Sequence, residues 1–365
     1  MTAQVVSAQP ATARSARDSV LVAVRNHIGY LTLNRPATLN VIDLNMVRRL
    51  HQQLDAWAWD DTVYAVVLRG AGEKAFCAGG DIRALYDSFH QNQTLHQDFF
   101  AEEYALDLAL HQYRKPVLAL MDGLVMGGGM GLAQAVDLRV VTERSRLAMP
   151  EVAIGYFPDV GASYFLSRVP GELGIYLGVT GLQIQAADAL YCGLADWYVD
   201  SRHLAQLDHE LATMVWRTDP LKDLQGVLAR IGSQHLPDPA LARLRTAIDH
   251  FFGLPDIPSI IEQLREVTVL DTHAWAMSAA DMMETRSPMA MAVTLELLRC
   301  GRRLSLQDCF ALELSLGNQW FERGDLIEGV RALIIDKDKK PHWNPVHVQA
   351  LDAHLVASFF SGQEA

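Results

Sequence analysis

Phe76-Cys77-Ala78-Gly79-Gly80-Asp81, followed further along by Met126-Gly127-Gly128-Gly129-Met130-Gly131, is the pattern on which the reading of this chain turns. Glycine tolerates positive φ and lets a main-chain N–H come close to a ligand. Two such loops could aim two N–H groups at one oxygen, the arrangement that stabilises an oxyanion in acyl chemistry. Pro150-Glu151 and Pro158-Asp159 come next and supply the carboxylates.

Working outward, each glycine loop follows a short apolar run, Ala65–Leu68 before the first and Val117–Met121 before the second. Such runs read as buried strands. A helix is expected around Phe99–Gln112, another short one over Gly131–Ala135, and a further strand over Leu138–Val141. Strand, strand, helix in succession points to α/β layers built by repeated crossovers. Upstream, Val20–Val24 and Tyr30–Leu33 flank Asn26-His27-Ile28-Gly29 and predict a hairpin. Leu44, Val47, Leu50, Leu54 and Trp57 recur at three- and four-residue steps, which predicts an amphipathic helix capped by Asp43. After Gly171 the strand signal ends: Leu182–Leu194, Leu204–Trp216 and most of Ala240–Gln319 read as helix, with one starting after Pro239. The expected organisation is a tail over residues 1–18, a catalytic core over 19–185 and a helical region over 186–365 packed on that core.

The 365 residues are half hydrophobic and one-fifth charged, an ordinary globular composition, with a formal net charge of −12. No basic stripe is present, so a nucleic-acid partner is not expected. No apolar run reaches the ~20 residues that span a bilayer. Cys77, Cys192, Cys300 and Cys309 form no CxxC pair, so neither a zinc site nor a disulfide framework is indicated. Residues 1–19 lack a secretory apolar stretch; Arg14 and Arg17 among Ser, Thr and Ala fit either a bacterial tail or a transit peptide. The expectation is a cytoplasmic protein, with a mitochondrial one as the alternative.

Several motifs fail. Leu132 stands where a dinucleotide-binding loop needs its third glycine, and no Walker lysine, G-x-S-x-G serine or His-Glu-x-x-His occurs. What remains is backbone activation of an acyl group. Gly127–Gly129 precede a helix, whose first-turn N–H groups lack internal partners and carry the positive end of its dipole.

Ala75-Phe76-Cys77-Ala78-Gly79-Gly80-Asp81-Ile82 and Met126-Gly127-Gly128-Gly129 resemble the enoyl-CoA hydratase/isomerase (crotonase) superfamily. Ala148-Met149-Pro150-Glu151, Phe157-Pro158-Asp159-Val160-Gly161, Tyr164-Phe165-Leu166, Glu328-Gly329-Val330-Arg331-Ala332 and Ile335-Asp336-Lys337-Asp338 are similar to its thioesterase branch, the 3-hydroxyisobutyryl-CoA hydrolases. The resemblance implies a crotonase-like repeated ββα core and an acyl-CoA substrate. It implies that the Ala78 and Gly128 N–H groups form the oxyanion hole, that Glu151 is the principal catalytic carboxylate, and that Asp159 and Glu103 face the substrate. Gly127 and Gly129 of the same loop would also bind the substrate, and the main chain near Ala78, Asp81 and Ile82 would hold the coenzyme. No metal and no separate cofactor are implied, since coenzyme A is part of the substrate. Where hydratases carry a second catalytic glutamate this chain has Gly131, which favours hydrolysis over hydration.

Plainer readings stand beside these. Glu151 could be a solvated turn acid, Asp159 a helix cap, Glu103 a surface charge like Glu102, and Cys77 a small core residue. Lys74 and Arg83 are candidates for the coenzyme phosphates or simply exposed. The rival functions are an enoyl-CoA isomerase or hydratase, which would move protons without releasing thiol, and a non-enzymatic acyl-CoA-binding module. Assembly into a homo-oligomer stays open.

Overall fold

A computed structural model describes residues 19–233 and 236–361; the tail expected over residues 1–18 lies outside the described residues. The chain opens with the predicted hairpin, β1 (Val20–Arg25) and β2 (Ile28–Leu33), antiparallel to each other. Its tight turn is Asn26-His27, both at positive φ (47° and 62°), the twist that joins two antiparallel strands without splaying them. The helix Leu44–Ala58 follows, with the Asp43 carboxylate accepting from the Met46 N–H at 2.9 Å.

Three turns of a strand-strand-helix repeat come next. Each sends its first strand into one sheet and its second into another. β3 (Ala65–Gly70), β5 (Val117–Met121) and β7 (Leu138–Val141) join a six-stranded sheet, completed by β10 (Trp197–Tyr198), of order β1-β2-β3-β5-β7-β10. β4 (Ala75–Cys77), β6 (Leu124–Met126) and β8 (Arg146–Ala148) stack in parallel in a four-stranded sheet closed by β9 (Ile184–Gln185). Beyond β1 the large sheet is parallel throughout. Its strands are apolar on both faces: Val66 and Leu68 of β3 enter the main core, while Ala65 and Val67 pack with Leu207, Leu211, Val227 and Leu228. A parallel sheet covered on both sides requires this, and it is why these strands read as unbroken apolar runs.

Two expectations need correction. Strands do not end at Gly171: β9 lies inside the stretch read as a helix over Leu182–Leu194, and only Ala186–Tyr191 of that stretch is helical. β10 (Trp197–Tyr198) then pairs in parallel with β7. Both strands are two residues long, too short to leave a period in the sequence. The helices Leu204–Thr213 and Pro220–Ile231 cover the outer face of the large sheet. A helix begins at Ala240, as Pro239 predicted. Toward the C-terminus, Pro288–Gly301 packs on Leu173–Thr180, and Leu306–Arg323 packs on Leu95–His111.

Candidate active site

The short sheet assembles the site. β4, β6 and β8 lie side by side and parallel, so the segments leaving their C-terminal ends emerge together: Ala78–Asp81, Gly127–Gly129 and Pro150–Glu151. Ligands of parallel α/β sheets bind at that end of the strands. A Cβ placed on Gly79 would lie 3.8 Å from the Gly128 nitrogen, and one on Gly128 would lie 3.6 Å from the Gly80 nitrogen. The two glycine loops therefore touch.

The geometry changes one donor. The Ala78 N–H expected in the oxyanion hole is bonded to the Leu39 carbonyl at 3.1 Å. Two residues on, the Gly80 N–H has no acceptor among the described residues, and neither has the Gly128 N–H at the first position of the helix Gly128–Gln134. A parallel bridge between Ile42 and Gly80 explains the difference. It engages the Gly79 carbonyl and the Asp81 N–H, both at 2.9 Å, and leaves the Gly80 N–H pointing away. Gly80 thus replaces Ala78 as the first-loop donor opposite Gly128. Gly79 (φ 102°) and Gly127 (φ 51°) hold backbone conformations that side chains disfavour.

Beside these amides sits the Glu151 carboxyl, which opens the 3-10 turn Glu151–Ile154. A Cβ on Gly127 would come within 2.9 Å of its Oε1. Glu151 is buried and its Oε2 has no partner. Asp159 is buried too and accepts a hydrogen bond from the Tyr104 hydroxyl at 2.7 Å, so it does not cap the following helix. Glu103 is buried, not a surface charge: a Cβ on Gly128 would meet its Oε1 at 2.3 Å.

These acids hold their protons unusually well. Burial, then the Asp159 charge, pushes Glu151 well above the ordinary carboxylate range. Burial raises Asp159 to about 7, opposed by the Tyr104 hydrogen bond. Glu103 is raised by burial, then by Asp107 and Asp159. Like charges gathered in one buried site do not all ionise together, which is the setting in which carboxyls take part in proton transfer.

Other expected residues serve the scaffold. A Cβ on Gly129 would strike the Cys77 carbonyl at 2.3 Å, so this glycine seats its helix on β4 and does not face a substrate. Asp81 caps the helix Ile82–His90 through the Ala84 N–H and pairs with Arg35 at 3.4 Å. The Asp81 and Ile82 N–H groups are bonded to Ile42 and Gly80, which removes them as coenzyme donors. Ala78, Gly80, Ile82 and Gly127 are half-buried, so this strip of backbone remains the open edge of the site. Arg83 is exposed but donates to the Ile334 carbonyl at 2.7 Å, while Lys74 is exposed. Cys77 is a core residue whose thiol burial pushes up to about 12.

Sequence reasoning missed Tyr104, Asp107 and Glu313. All three are buried, and two are acids on otherwise apolar helix faces: Asp107 beside Leu106 and Leu110, Glu313 beside Leu312 and Leu316. A charge in such a stripe was the signal available. Glu313 accepts from the Gly161 N–H at 2.7 Å and from the Ser163 N–H at 2.8 Å, which fixes the loop carrying Asp159. Trp320 donates to the Gly155 carbonyl at 2.7 Å and so ties down the turn that begins at Glu151.

A family model described as enoyl-CoA hydratase/isomerase matches residues 28–360. The chain belongs to the enoyl-CoA hydratase/isomerase (crotonase) superfamily. Relatives in this superfamily include the mitochondrial 3-hydroxyisobutyryl-CoA hydrolase of Rattus norvegicus, 39% identical over 93% of this chain and 88% of that one. The enzyme of the same name from Homo sapiens is 36% identical over 94% and 89%. Among solved structures, a carnitinyl-CoA dehydratase from Mycobacterium thermoresistibile superposes with TM-score 0.86 at 36% identity, covering 95% of this chain and 97% of that one. An enoyl-CoA hydratase from Rhodobacter sphaeroides 2.4.1 gives 0.84 at 33%, covering 94% and 97%. The crotonase-like ββα core is thus shared from end to end, helical C-terminal region included.

Proposed function

We propose that this chain hydrolyses 3-hydroxyisobutyryl-CoA to 3-hydroxyisobutyrate and coenzyme A, a step of valine breakdown, with no cofactor beyond the coenzyme carried by the substrate. The observation that carries the reading is the Glu151 carboxyl set against Gly127, beside the two unspent N–H groups of Gly80 and Gly128. The thioester oxygen sits between those two donors and gains stabilisation as it becomes negative, roughly 3–4 kcal/mol per well-placed donor. Glu151 either attacks the carbonyl carbon, giving a mixed anhydride that water opens, or takes a proton from the attacking water. The carbon–sulfur bond breaks, a carbon–oxygen bond forms, and a proton passes to the departing sulfur. Asp159, held by Tyr104, shares the proton traffic.

The two solved neighbours carry dehydratase and hydratase in their titles, whereas the curated relatives are named hydrolases. Gly131 favours hydrolysis, because the resemblance assigns that position to the second glutamate of the hydratases. The experiment is a comparison of free-thiol release from 3-hydroxyisobutyryl-CoA with double-bond migration in a 3-enoyl-CoA and water addition to a 2-enoyl-CoA. Thiol release should dominate; turnover of the enoyl substrates without it would overturn the reading. The relatives' names carry the mitochondrial compartment, which matches the alternative and lends the cytoplasmic expectation no support. Sequencing the N-terminus of the protein from its native source decides whether residues 1–18 are removed.

A further inference from the structure

Both oxygens of Asp107 are buried and unpartnered among the described residues. The residue is wholly buried, on the helix Leu95–His111, one turn beyond Glu103. A buried carboxyl without a donor is costly and calls for an explanation. A Cβ on Gly131 would lie 2.6 Å from its Oδ2 and 2.6 Å from the Val160 Cβ, so the glycine makes the space the carboxyl occupies.

Two helices set a ruler here. Gly128 faces Glu103 and Gly131 faces Asp107. Gly131 follows Gly128 by three helical positions, a rise of about 4.5 Å. In an extended 3-hydroxyacyl group the hydroxyl oxygen lies roughly 4 Å from the thioester carbon, across two C–C bonds and one C–O bond. With the thioester oxygen at Gly128, the acyl hydroxyl reaches the level of Gly131.

We propose that Asp107 receives the 3-hydroxyl of the acyl group and is the residue that makes the site select hydroxylated over plain branched acyl chains. This rests on the hydrolase reading. A site built to bond a substrate hydroxyl rejects the analogue without it, because its own polar group is then left unpaired. Asp159 already has the Tyr104 hydroxyl, and Glu103 and Glu151 lie against the Gly128 and Gly127 end of the loop, whereas Asp107 lies at the level of Gly131 with both oxygens unpartnered.

The test measures kcat/KM for 3-hydroxyisobutyryl-CoA and isobutyryl-CoA by free-thiol release, in the wild type, Asp107→Asn and Asp107→Ala. The wild type should prefer the hydroxylated substrate at least ~10-fold. Asp107→Ala should bring the two within about threefold, by losing the hydroxylated substrate and sparing the other, and Asp107→Asn should fall between. A wild type indifferent to the hydroxyl overturns the proposal whatever the variants do. So does a folded variant that keeps the wild-type preference, since a merely structural acid would lower both rates together. Should Asp107→Ala not fold, the near-isosteric Asn variant and the wild-type preference decide. No thiol release from either substrate by the wild type sinks the hydrolase reading and this proposal with it.

Discussion

Glu313 accepts two hydrogen bonds from Ser163, one from its N–H at 2.8 Å and one from its hydroxyl at 2.5 Å, across 150 residues of chain. With the Gly161 N–H on its other oxygen, this buried acid pins the loop that holds Asp159. The helical C-terminal region thereby shapes the catalytic core from outside it. Glu313→Ala leaves buried donors without an acceptor and should cost about 2–4 kcal/mol in denaturant unfolding. A loss under 0.5 kcal/mol would mean the loop holds itself.

Tyr104→Phe removes the hydrogen bond that holds the Asp159 carboxyl down. The pKa of Asp159 should then rise above its value of about 7. In the pH profile of kcat/KM, the limb attributable to this acid should move to higher pH, while Asp159→Asn should abolish it. An unmoved profile in Tyr104→Phe would remove Asp159 from the proton chemistry.

Stability should fall as pH rises from about 4 to about 8. Asp159 is raised from 3.8 to about 7 and Glu313 from 4.5 to about 8, both chiefly by burial. The folded state therefore keeps protons that the unfolded chain has released. That contribution is fully present below the unfolded values and is lost as pH rises through about 7 and about 8. The thermal midpoint should drop between about pH 4 and about pH 8, and less steeply in Asp159→Asn. A midpoint flat over that range would mean these acids are ionised in the fold throughout.

Gly127→Ala tests the contact between the second loop and Glu151. The substitution adds strain at φ 51° and drives a methyl to 2.9 Å from the Glu151 Oε1. The expected loss in kcat is at least ~100-fold, read by steady-state hydrolysis with the fold checked by circular dichroism. Near-normal turnover would place the reacting carbonyl elsewhere.

How far the sequence was legible depends on how local each feature is. The strands Val117–Met121 and Leu138–Val141 were readable because burial on both faces makes unbroken apolar runs. The Asp43 cap was readable because a cap and its helix are neighbours in the chain. The hole donor was not. Whether the Ala78 or the Gly80 N–H is free depends on Leu39 and Ile42, distant residues whose pairing leaves no local mark. Glu103 was read as facing the substrate only through the resemblance, and Asp107, one turn away with no motif, went unread. β9 and β10 are placed by their partners β8 and β7 and not by their own two residues.

In the proposed reaction Glu151 acts at a carbonyl held by the Gly80 and Gly128 amides. Single-turnover hydrolysis of 3-hydroxyisobutyryl-CoA by Glu151→Gln, with binding measured in the same preparation, addresses it most directly. Hydrolysis should slow at least ~1,000-fold with affinity within about threefold of wild type. Hydrolysis within tenfold of the wild-type rate would contradict that role of Glu151.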